Sequence, residues 1–237
     1  MRKSGSTWFI LSAGLVLAAG SAGEAATTAS VNGTVVLEGS APSAEKIKMN
    51  ADPVCLQAHK EDVLTETVVA AGGKLQNVAV YVKEGVSGSF SASKTPVVLN
   101  QEGCLYKPHV FTIQAGQPLE IVNSDPTLHN VNCQPKNNKR FNIAQPVKGM
   151  KTSKTFDQAE APIPFKCNVH PWMTAYALVF NHPFHSVTGS DGSFSLKDLP
   201  AGTYTVEAWH EKYGVQSQSV TVADGETKEL TFTFKAN

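Results

Sequence analysis

A cysteine, a histidine and a methionine follow one another at three-residue intervals, as Cys167-x2-His170-x2-Met173. A thiolate, an imidazole and a thioether are donors that copper uses when it alternates between Cu(I) and Cu(II), in sites where a second imidazole completes a His₂Cys plane. His129, which follows the turn residues Asn123 to Pro126, is the best candidate for that second imidazole. The sequence therefore predicts a copper site with these four ligands.

Neighbouring residues are expected to support this site. Asn130, next to His129, can brace the Cys167 loop through hydrogen bonds of its side chain. Trp172 can help to keep water from the metal. Pro171 can turn the loop, because proline fixes its backbone angle and has no N–H group to satisfy.

The residues around the site resemble those of the blue-copper cupredoxins of the plastocyanin and amicyanin type. The resemblance covers residues 95–180 and is carried by Tyr106-x-Pro108, Gly116, Asn123-x5-His129-Asn130-Val131 and Cys167-x2-His170-x2-Met173. It implies a cupredoxin Greek-key sandwich with one mononuclear type 1 copper ion, which exchanges single electrons with a redox protein partner and catalyses no reaction. The binuclear copper centre of cytochrome oxidase is a poorer match, because it needs a second cysteine where Ile163 stands.

Other interpretations of the same ligand residues remain open at this point. A periplasmic copper chaperone or storage protein would use the same ligands to hand over Cu(I) without redox turnover, and it is the main alternative. Zinc prefers four strong N, S or O ligands, to which a methionine contributes poorly. A Cys–His hydrolase would need an orienting acid, and none is evident. A structural adhesion module, in which the loop residues only pack, is a weaker alternative.

The segments on either side of the copper motifs resemble the carboxypeptidase regulatory-like, transthyretin-like β-sandwich. The residues that carry this resemblance are Gly33-Thr34-Val35, Asn77-Val78-Ala79-Val80 and Thr188-x3-Gly192-x-Phe194-x-Leu196-x2-Leu199-Pro200-x-Gly202-x-Tyr204-x-Val206. We therefore predict a smaller, discontinuous sandwich of residues 27–92 and 182–237, with a cupredoxin of residues 93–181 inserted into it. Two modules in tandem, with residues 28–92 forming part of the cupredoxin, are the alternative. The sandwich is expected to dock the copper module to a partner or to the cell envelope.

The N-terminus and the composition narrow the class of protein. A charged start, an apolar run from Trp8 to Gly20 and small residues up to Ala25 predict a secretory signal peptide over residues 1–26. The run is too short to predict a membrane span, so we expect a periplasmic or secreted protein. The 20 basic residues balance the 20 acidic ones, which argues against a nucleic-acid partner. The many Thr, Val, Gly and Pro residues favour an all-β fold.

Four cysteines in an exported protein ordinarily suggest two disulfides. If Cys167 is a metal ligand, three cysteines remain. Cys55 with Cys104 is the preferred bridge, because both lie beside turn residues and outside the metal motifs. Cys133 would then be a buried free thiol near the site. The sequence does not fix this connectivity.

Three local patterns lead to further predictions. Val78, Val80 and Val82 alternate with other residues, which predicts a strand from Leu75 to Gly85. The polar stretch from Gln57 to Asp62 is expected to form one helical turn. His182 and His210 could meet at the module junction and bind a second metal, but hydrogen-bonded interface histidines are the favoured interpretation.

Overall fold

Strands make up almost all of the secondary structure of the chain. The structure is a computed structural model that describes Met1 and residues 28–236, so the predicted signal peptide lies, apart from Met1, outside the described residues. The described part contains eighteen strands and one short helix, which confirms the predicted all-β class. Within residues 28–236 no helix is long and apolar enough to cross a membrane.

The elements are numbered in chain order. They are β1 (Ala29–Glu38), α1 (Pro53–Gln57), β2 (Ala70–Ala71), β3 (Lys74–Leu75), β4 (Ala79–Glu84), β5 (Val97–Gln101), β6 (Tyr106–Lys107), β7 (Val110–Gln114), β8 (Leu119–Asn123), β9 (His129–Cys133), β10 (Phe141–Gln145), β11 (Lys151–Lys154), β12 (Glu160–Lys166), β13 (Thr174–Phe180), β14 (His185–Val187), β15 (Ser193–Leu199), β16 (Gly202–His210), β17 (Gly214–Val222) and β18 (Thr227–Lys235).

The first sandwich is built from strands at both ends of the described chain. One sheet has the order β15-β1-β3-β2, with β18 paired to β1 in parallel, and the other has the order β14-β4-β16-β17. Gly33 allows the close approach of β1 and β18, because a Cβ atom there would lie 1.9 Å from the carbonyl oxygen of Leu230. The predicted strand from Leu75 to Gly85 is interrupted at Asn77, whose φ of 61° is a left-handed conformation that asparagine tolerates.

The second sandwich is built from the strands between residues 97 and 180. Its sheets have the orders β10-β9-β12-β13-β7 and β11-β8-β5-β6. Side chains of both sheets form one apolar core, which includes Leu99 and Ile121 from one sheet and Ile113 and Phe165 from the other. Since each fully buried side chain of this size stabilises the fold by about 1.5–3 kcal/mol, this core can hold the loops at the ends of the strands in place.

The partners of β1 and the partners of β4 bear on the domain arrangement. β1 pairs with β3, β15 and β18, and β4 pairs with β14 and β16. These pairs join the N-terminal and C-terminal parts of the chain, as an inserted copper module requires. The boundaries at residues 93 and 181 remain a prediction.

The segment between β1 and β2 leaves the first sandwich and packs on the second. Met49 and Cys55 are buried in the core of the second sandwich, and Ile47 and Val63 pack against it. The two arms of the segment run side by side, because the N–H group of Ile47 donates to the carbonyl of Val63. A part of the chain that precedes the second sandwich in sequence therefore packs against it.

The two sandwiches meet at a third apolar cluster, formed by strands with two buried faces. On β4, Val80 and Val82 point into the first core, while Ala79 and Tyr81 point into the junction. β13 behaves in the same way, because alternate residues belong to the second core and to the junction. The near-continuous apolar runs of these strands thus reflect two packing surfaces.

A histidine and a glutamate connect the sandwiches beside this cluster. His109 precedes β7 and donates from Nδ1 to the carbonyl of Thr174 at 3.1 Å, while its Nε2 donates to the carboxylate of Glu211 after β16. Burial lowers the pKa of His109, but Glu211 outweighs that effect, so the pKa is raised above 6.5. The charged imidazolium is therefore the form that fits this position.

We predict that the stability gained from this ion pair depends on pH. Because the pKa of His109 is raised in the folded state, the gain is complete below pH 6.5 and is lost as the pH rises through the raised value. Glu211→Gln should lower the free energy of unfolding by about 1–3 kcal/mol at acidic pH and by less in alkaline buffer, as measured by urea denaturation. Glu207→Gln is the control, since Glu207 accepts a hydrogen bond from Tyr81. Equal losses at both pH values would contradict the prediction.

Candidate metal centre

Two histidine rings face each other at one end of the second sandwich. His129 opens β9, and His170 lies in the turn between β12 and β13. The Nδ1 atoms of the two rings are 2.9 Å apart. Both rings are buried, with exposed fractions of 0% and 2%. The sandwich thus brings together two predicted ligands that are 41 residues apart in sequence.

The outer nitrogen of each ring is bound by a carboxylate. His129 Nε2 donates to Asp125 Oδ2 at 2.9 Å, and His170 Nε2 donates to Asp52 Oδ2 at 3.0 Å. Such carboxylate partners fix the tautomer and the orientation of histidines that bind metals. Asp125 also accepts from the N–H groups of Gly103 and Cys104, so it is held in place by the backbone.

When both rings are neutral, these contacts leave the two inner nitrogens without protons. A neutral imidazole carries a single N–H group, and here each ring commits it to a carboxylate. The lone pairs of the two Nδ1 atoms then face each other at 2.9 Å. Two acceptors at this distance repel each other unless a cation, either a proton or a metal ion, lies between them. The arrangement therefore fits a metal ion held by both Nδ1 atoms.

A thiol lies beside this pair of nitrogens. Cys167 Sγ is 3.9 Å from His170 Nδ1 and accepts a hydrogen bond from the N–H group of His170 at 3.3 Å. The donor atoms of His129, Cys167 and His170 all lie within 4.8 Å of one another, and all three residues are buried. The set contains one sulfur and two nitrogen donors, which suits copper better than magnesium or calcium.

Hydrogen bonds of the backbone close the ligand loop. The N–H group of Met173 donates to the carbonyl of His170 at 2.9 Å, and that of Cys167 donates to the carbonyl of Met173 at 3.1 Å. Asn130 ties the loop to β9, because its Oδ1 accepts from the N–H group of Asn168 at 2.6 Å. Met173 is fully buried in the same core as Cys167. All four predicted ligands therefore lie on one short turn and the adjacent strand.

Trp172 covers one side of His170. The two rings are 5.1 Å apart, and the indole N–H group donates to the carbonyl of Cys104 at 3.0 Å. The same Cys104 forms a disulfide with Cys55. Cys55 Sγ in turn lies 3.5 Å from His170 Nε2. The disulfide is thus part of the wall of the site, although both of its cysteines lie outside the metal motifs in sequence.

The environment shifts the pKa values of the three donor residues. Burial raises the pKa of the Cys167 thiol, but the nearby His129 ring and hydrogen bonds from backbone amides outweigh it, so the pKa is lowered. Burial lowers the pKa of His129, but Asp125 and Cys167 outweigh it and the pKa is raised. Burial lowers the pKa of His170. A thiol with a lowered pKa is more readily the thiolate, which is the form that binds metals.

Sequence reasoning missed the two carboxylates. Asp125 lies four residues before His129, and Asp52 lies 118 residues before His170.

The predicted helical turn from Gln57 to Asp62 is wrong, because the helix runs from Pro53 to Gln57. Asp52 caps this helix by accepting from the N–H group of Val54. The signal was present, since an Asp followed by Pro is typical of a helix start.

The candidate second site at His182 and His210 finds no support in the contacts of the two rings. His182 Nδ1 accepts from the N–H group of Phe184, and His210 Nδ1 accepts from that of Lys212. The contacts lie at different positions along β4, because the carbonyl of Phe184 accepts from the N–H group of Val82 whereas Trp209, the neighbour of His210, pairs with Ala79. Among the described residues, neither histidine joins a group of three or more metal-binding side chains.

Cys133 lies at the end of β9, in the core of the copper module. It is a buried free thiol and pairs across the sheet with Phe165. Burial is the main cause that raises its pKa, so the residue stays a neutral thiol. Its position is that of an apolar packing residue.

A comparison with models of known protein families supports one of the two predicted resemblances. Residues 175–235 match the carboxypeptidase regulatory-like domain. The match begins on β13 and continues through β14 to β18, which confirms the predicted resemblance for the C-terminal strands. No curated protein matches the chain in sequence.

Solved structures similar to the chain are cupredoxins and a copper enzyme. Amicyanin from Paracoccus versutus is 24% identical, with a TM-score of 0.32, and the match covers 42% of this chain and 96% of amicyanin. A purple cupredoxin from Nitrosopumilus maritimus is 26% identical (TM-score 0.28, 32% and 81% covered). The copper-containing nitrite reductase of Thermus scotoductus SA-01 is 18% identical (TM-score 0.35); the match covers 62% of this chain but spans only 28% of that enzyme.

We predict that the disulfide stabilises the fold around the site. It joins residues 49 positions apart, and closing a loop of that length should contribute about 4 kcal/mol. The double variant Cys55→Ser and Cys104→Ser should lose about that much free energy of unfolding, measured in urea. Cys133→Ala is the control, because it removes a buried thiol without opening a covalent link. A double variant as stable as the parent protein would contradict the prediction.

Proposed function

We propose that this chain is an exported electron carrier that holds one type 1 copper ion with His129, Cys167, His170 and Met173. The observation that carries the proposal is the pair of Nδ1 atoms that face each other at 2.9 Å, with a carboxylate bound to the opposite nitrogen of each ring. Cys167 adds a sulfur donor whose pKa is lowered. Bound copper would supply the reversible uptake of a single electron.

The choice of copper over zinc follows from the direction of the carboxylates. Zinc takes four strong N, S or O ligands. Asp52 and Asp125 bind the outer nitrogens of the histidines, so they are not directed at the space between the Nδ1 atoms. Three strong donors and a methionine remain, which is the donor set of blue copper.

Burial supports electron transfer over delivery of the ion. The side chains of all four proposed ligands are almost completely buried, and a disulfide and an indole ring cover His170. Handing copper to another protein requires that the acceptor's ligands reach the ion. An electron does not need such access, and a closed set of ligands changes little when the charge of the ion changes. A chaperone or storage role is therefore the weaker candidate.

We predict that Cu(II) turns the purified protein intensely blue. The colour would come from charge transfer between the Cys167 thiolate and Cu(II), so Cys167→Ala should abolish the visible band. Cys133→Ala is the matched control, because it removes the other buried thiol of the same core and should keep the band. The measurement is a visible absorption spectrum during a titration with Cu(II).

Two results would count against this proposal. Uptake of Cu(I) without a blue band in the Cu(II) form would favour a chaperone or storage protein. A parent protein that takes up neither Cu(I) nor Cu(II) would contradict both functions.

The partner is proposed to dock on an apolar rim around the site. Leu128 precedes His129, Val169 precedes His170 and Leu56 follows Cys55. Each of these three side chains is exposed although its neighbour in sequence is buried. Because apolar contacts around a buried redox centre bring two proteins close without a fixed ion pair, this rim fits transient contact with another redox protein.

We predict that a charge on this rim slows electron exchange. Val169→Glu should reduce the rate of electron exchange between oxidised and reduced copies by about tenfold, if the charge costs 1.4 kcal/mol in the encounter. Line broadening in NMR spectra of mixed samples measures this rate. Val215→Glu is the matched control, because Val215 lies on β17 of the other sandwich and is 51% exposed, compared with 43% for Val169. Equal rates for the two variants would contradict the docking role of the rim.

A further inference from the structure

The carboxylate on His170 comes from outside the strands that build the copper module. Asp52 lies in the segment between β1 and β2, two strands of the first sandwich. Its side chain accepts three hydrogen bonds: Oδ1 accepts from the N–H group of Val54, and Oδ2 accepts from Thr127 and His170. The carboxylate thus sits between the helix that it caps and the proposed ligand.

The segment that carries Asp52 is fastened to the copper module on both sides of this carboxylate. Met49 is buried in the core of the module, and Cys55 is bonded to Cys104. Further along, His59 Nε2 donates to the carbonyl of Gly103 at 2.7 Å. A residue between such anchors can hold a fixed position even though the segment contains only one helical turn.

The position of Asp52 determines which nitrogen of His170 carries the proton. A neutral imidazole in water exchanges between two tautomers. The carboxylate 3.0 Å from Nε2 favours the tautomer with the proton on Nε2, and this leaves the Nδ1 lone pair directed at His129. Without that partner, the proton could move to Nδ1 and occupy the space between the two rings.

We propose that Asp52, on the segment between β1 and β2, is a positioning residue for the copper site, which sets the tautomer of His170 and strengthens its binding of Cu(II). This inference rests on the proposed function. The effect acts through His170, since Asp52 Oδ2 binds the nitrogen on the far side of the ring from the proposed metal position. A carboxylate that accepts from Nε2–H makes Nδ1 a better donor.

The same contact should favour one oxidation state over the other. A negative charge near the site stabilises Cu(II) more than Cu(I), because Cu(II) carries the higher charge. Removing that charge should therefore weaken the binding of Cu(II) more than the binding of Cu(I). The reduction potential of the loaded protein should then rise.

Two substitutions separate the charge of Asp52 from its role as a helix cap. Asn and Ser are both good N-cap residues, so Asp52→Asn and Asp52→Ser should keep helix Pro53–Gln57 and the adjacent disulfide. Asp52→Asn keeps an oxygen that can accept from His170 but loses the charge. Asp52→Ser loses the charge and is too short to reach the ring. The effects should therefore increase from Asn to Ser.

The first measurement uses the metal-free protein. NMR spectra that correlate ring nitrogens with ring protons report the tautomer of each histidine. The parent protein should show His170 protonated at Nε2, and Asp52→Ser should show a mixture of tautomers. His129 should keep its tautomer in both proteins, because Asp125 binds its Nε2. This readout does not depend on copper.

The second measurement uses the loaded protein. Competition titrations should show that Asp52→Ser lowers the affinity for Cu(II) by about 10–100-fold, the loss that is typical when a carboxylate partner of a metal-binding histidine is removed. The affinity for Cu(I) should fall less. Asp191→Asn is the matched control, because Asp191 also accepts from a nearby backbone N–H group, that of Ser193, in the first sandwich.

The outcomes distinguish this inference from the proposed function. If Asp52→Ser keeps both the tautomer of His170 and the affinity for Cu(II) of the parent protein, the inference is overturned while the copper site stands. If Asp191→Asn has the same effects as Asp52→Ser, the role of Asp52 is not specific and the inference fails. If the parent protein binds no copper, the proposed function fails, and the NMR spectra of the metal-free protein still decide whether Asp52 positions His170.

Discussion

Two buried ring nitrogens that face each other at 2.9 Å are the constraint on which this end of the molecule depends. Such a pair needs a cation, either a proton or a metal ion, between the two nitrogens, and the rings are held so that they cannot turn away from each other. A closed circuit of contacts prevents that rotation: Asp125 holds His129 and also accepts from the amide of Cys104. Cys104 is bonded to Cys55, whose helix is capped by Asp52. Asp52 in turn accepts a hydrogen bond from His170, the second ring.

The two sandwiches are connected at the site as well as at their junction. β13 begins directly after Met173, and its alternate residues enter the core of the second sandwich and the junction cluster. The segment between β1 and β2 supplies Asp52, which contacts His170 in the same loop. The loop is thus joined to the junction by β13 and to the first sandwich by the segment that follows β1. A module that only tethered the copper domain would not need a segment buried against His170.

The sequence predicted what depends on local pattern. The spacing of Cys167, His170 and Met173 places these residues on one turn, and the alternation of Val78, Val80 and Val82, whose side chains lie in the first core, is visible without a structure. The partner of His170 was not predictable in this way, because it depends on how a segment 118 residues away folds over the loop. The periodicity of apolar residues in the sequence gives no information about such a contact. The Asp-Pro pair indicated a helix start, but not what else its carboxylate binds.

The cover over His170 also bears on the choice between the two proposed uses of these ligands. A site that exchanges its ion must open, and opening this one would require movement of the segment that Cys55 anchors to Cys104. That segment also buries Met49 in the core, so the movement would expose apolar surface. Transfer of an electron needs none of this, since the exposed side chains of Leu128 and Val169 stand next to the two buried histidines. The covalent anchor that makes ion exchange costly also keeps the ligands in one geometry, which is the condition for fast electron transfer.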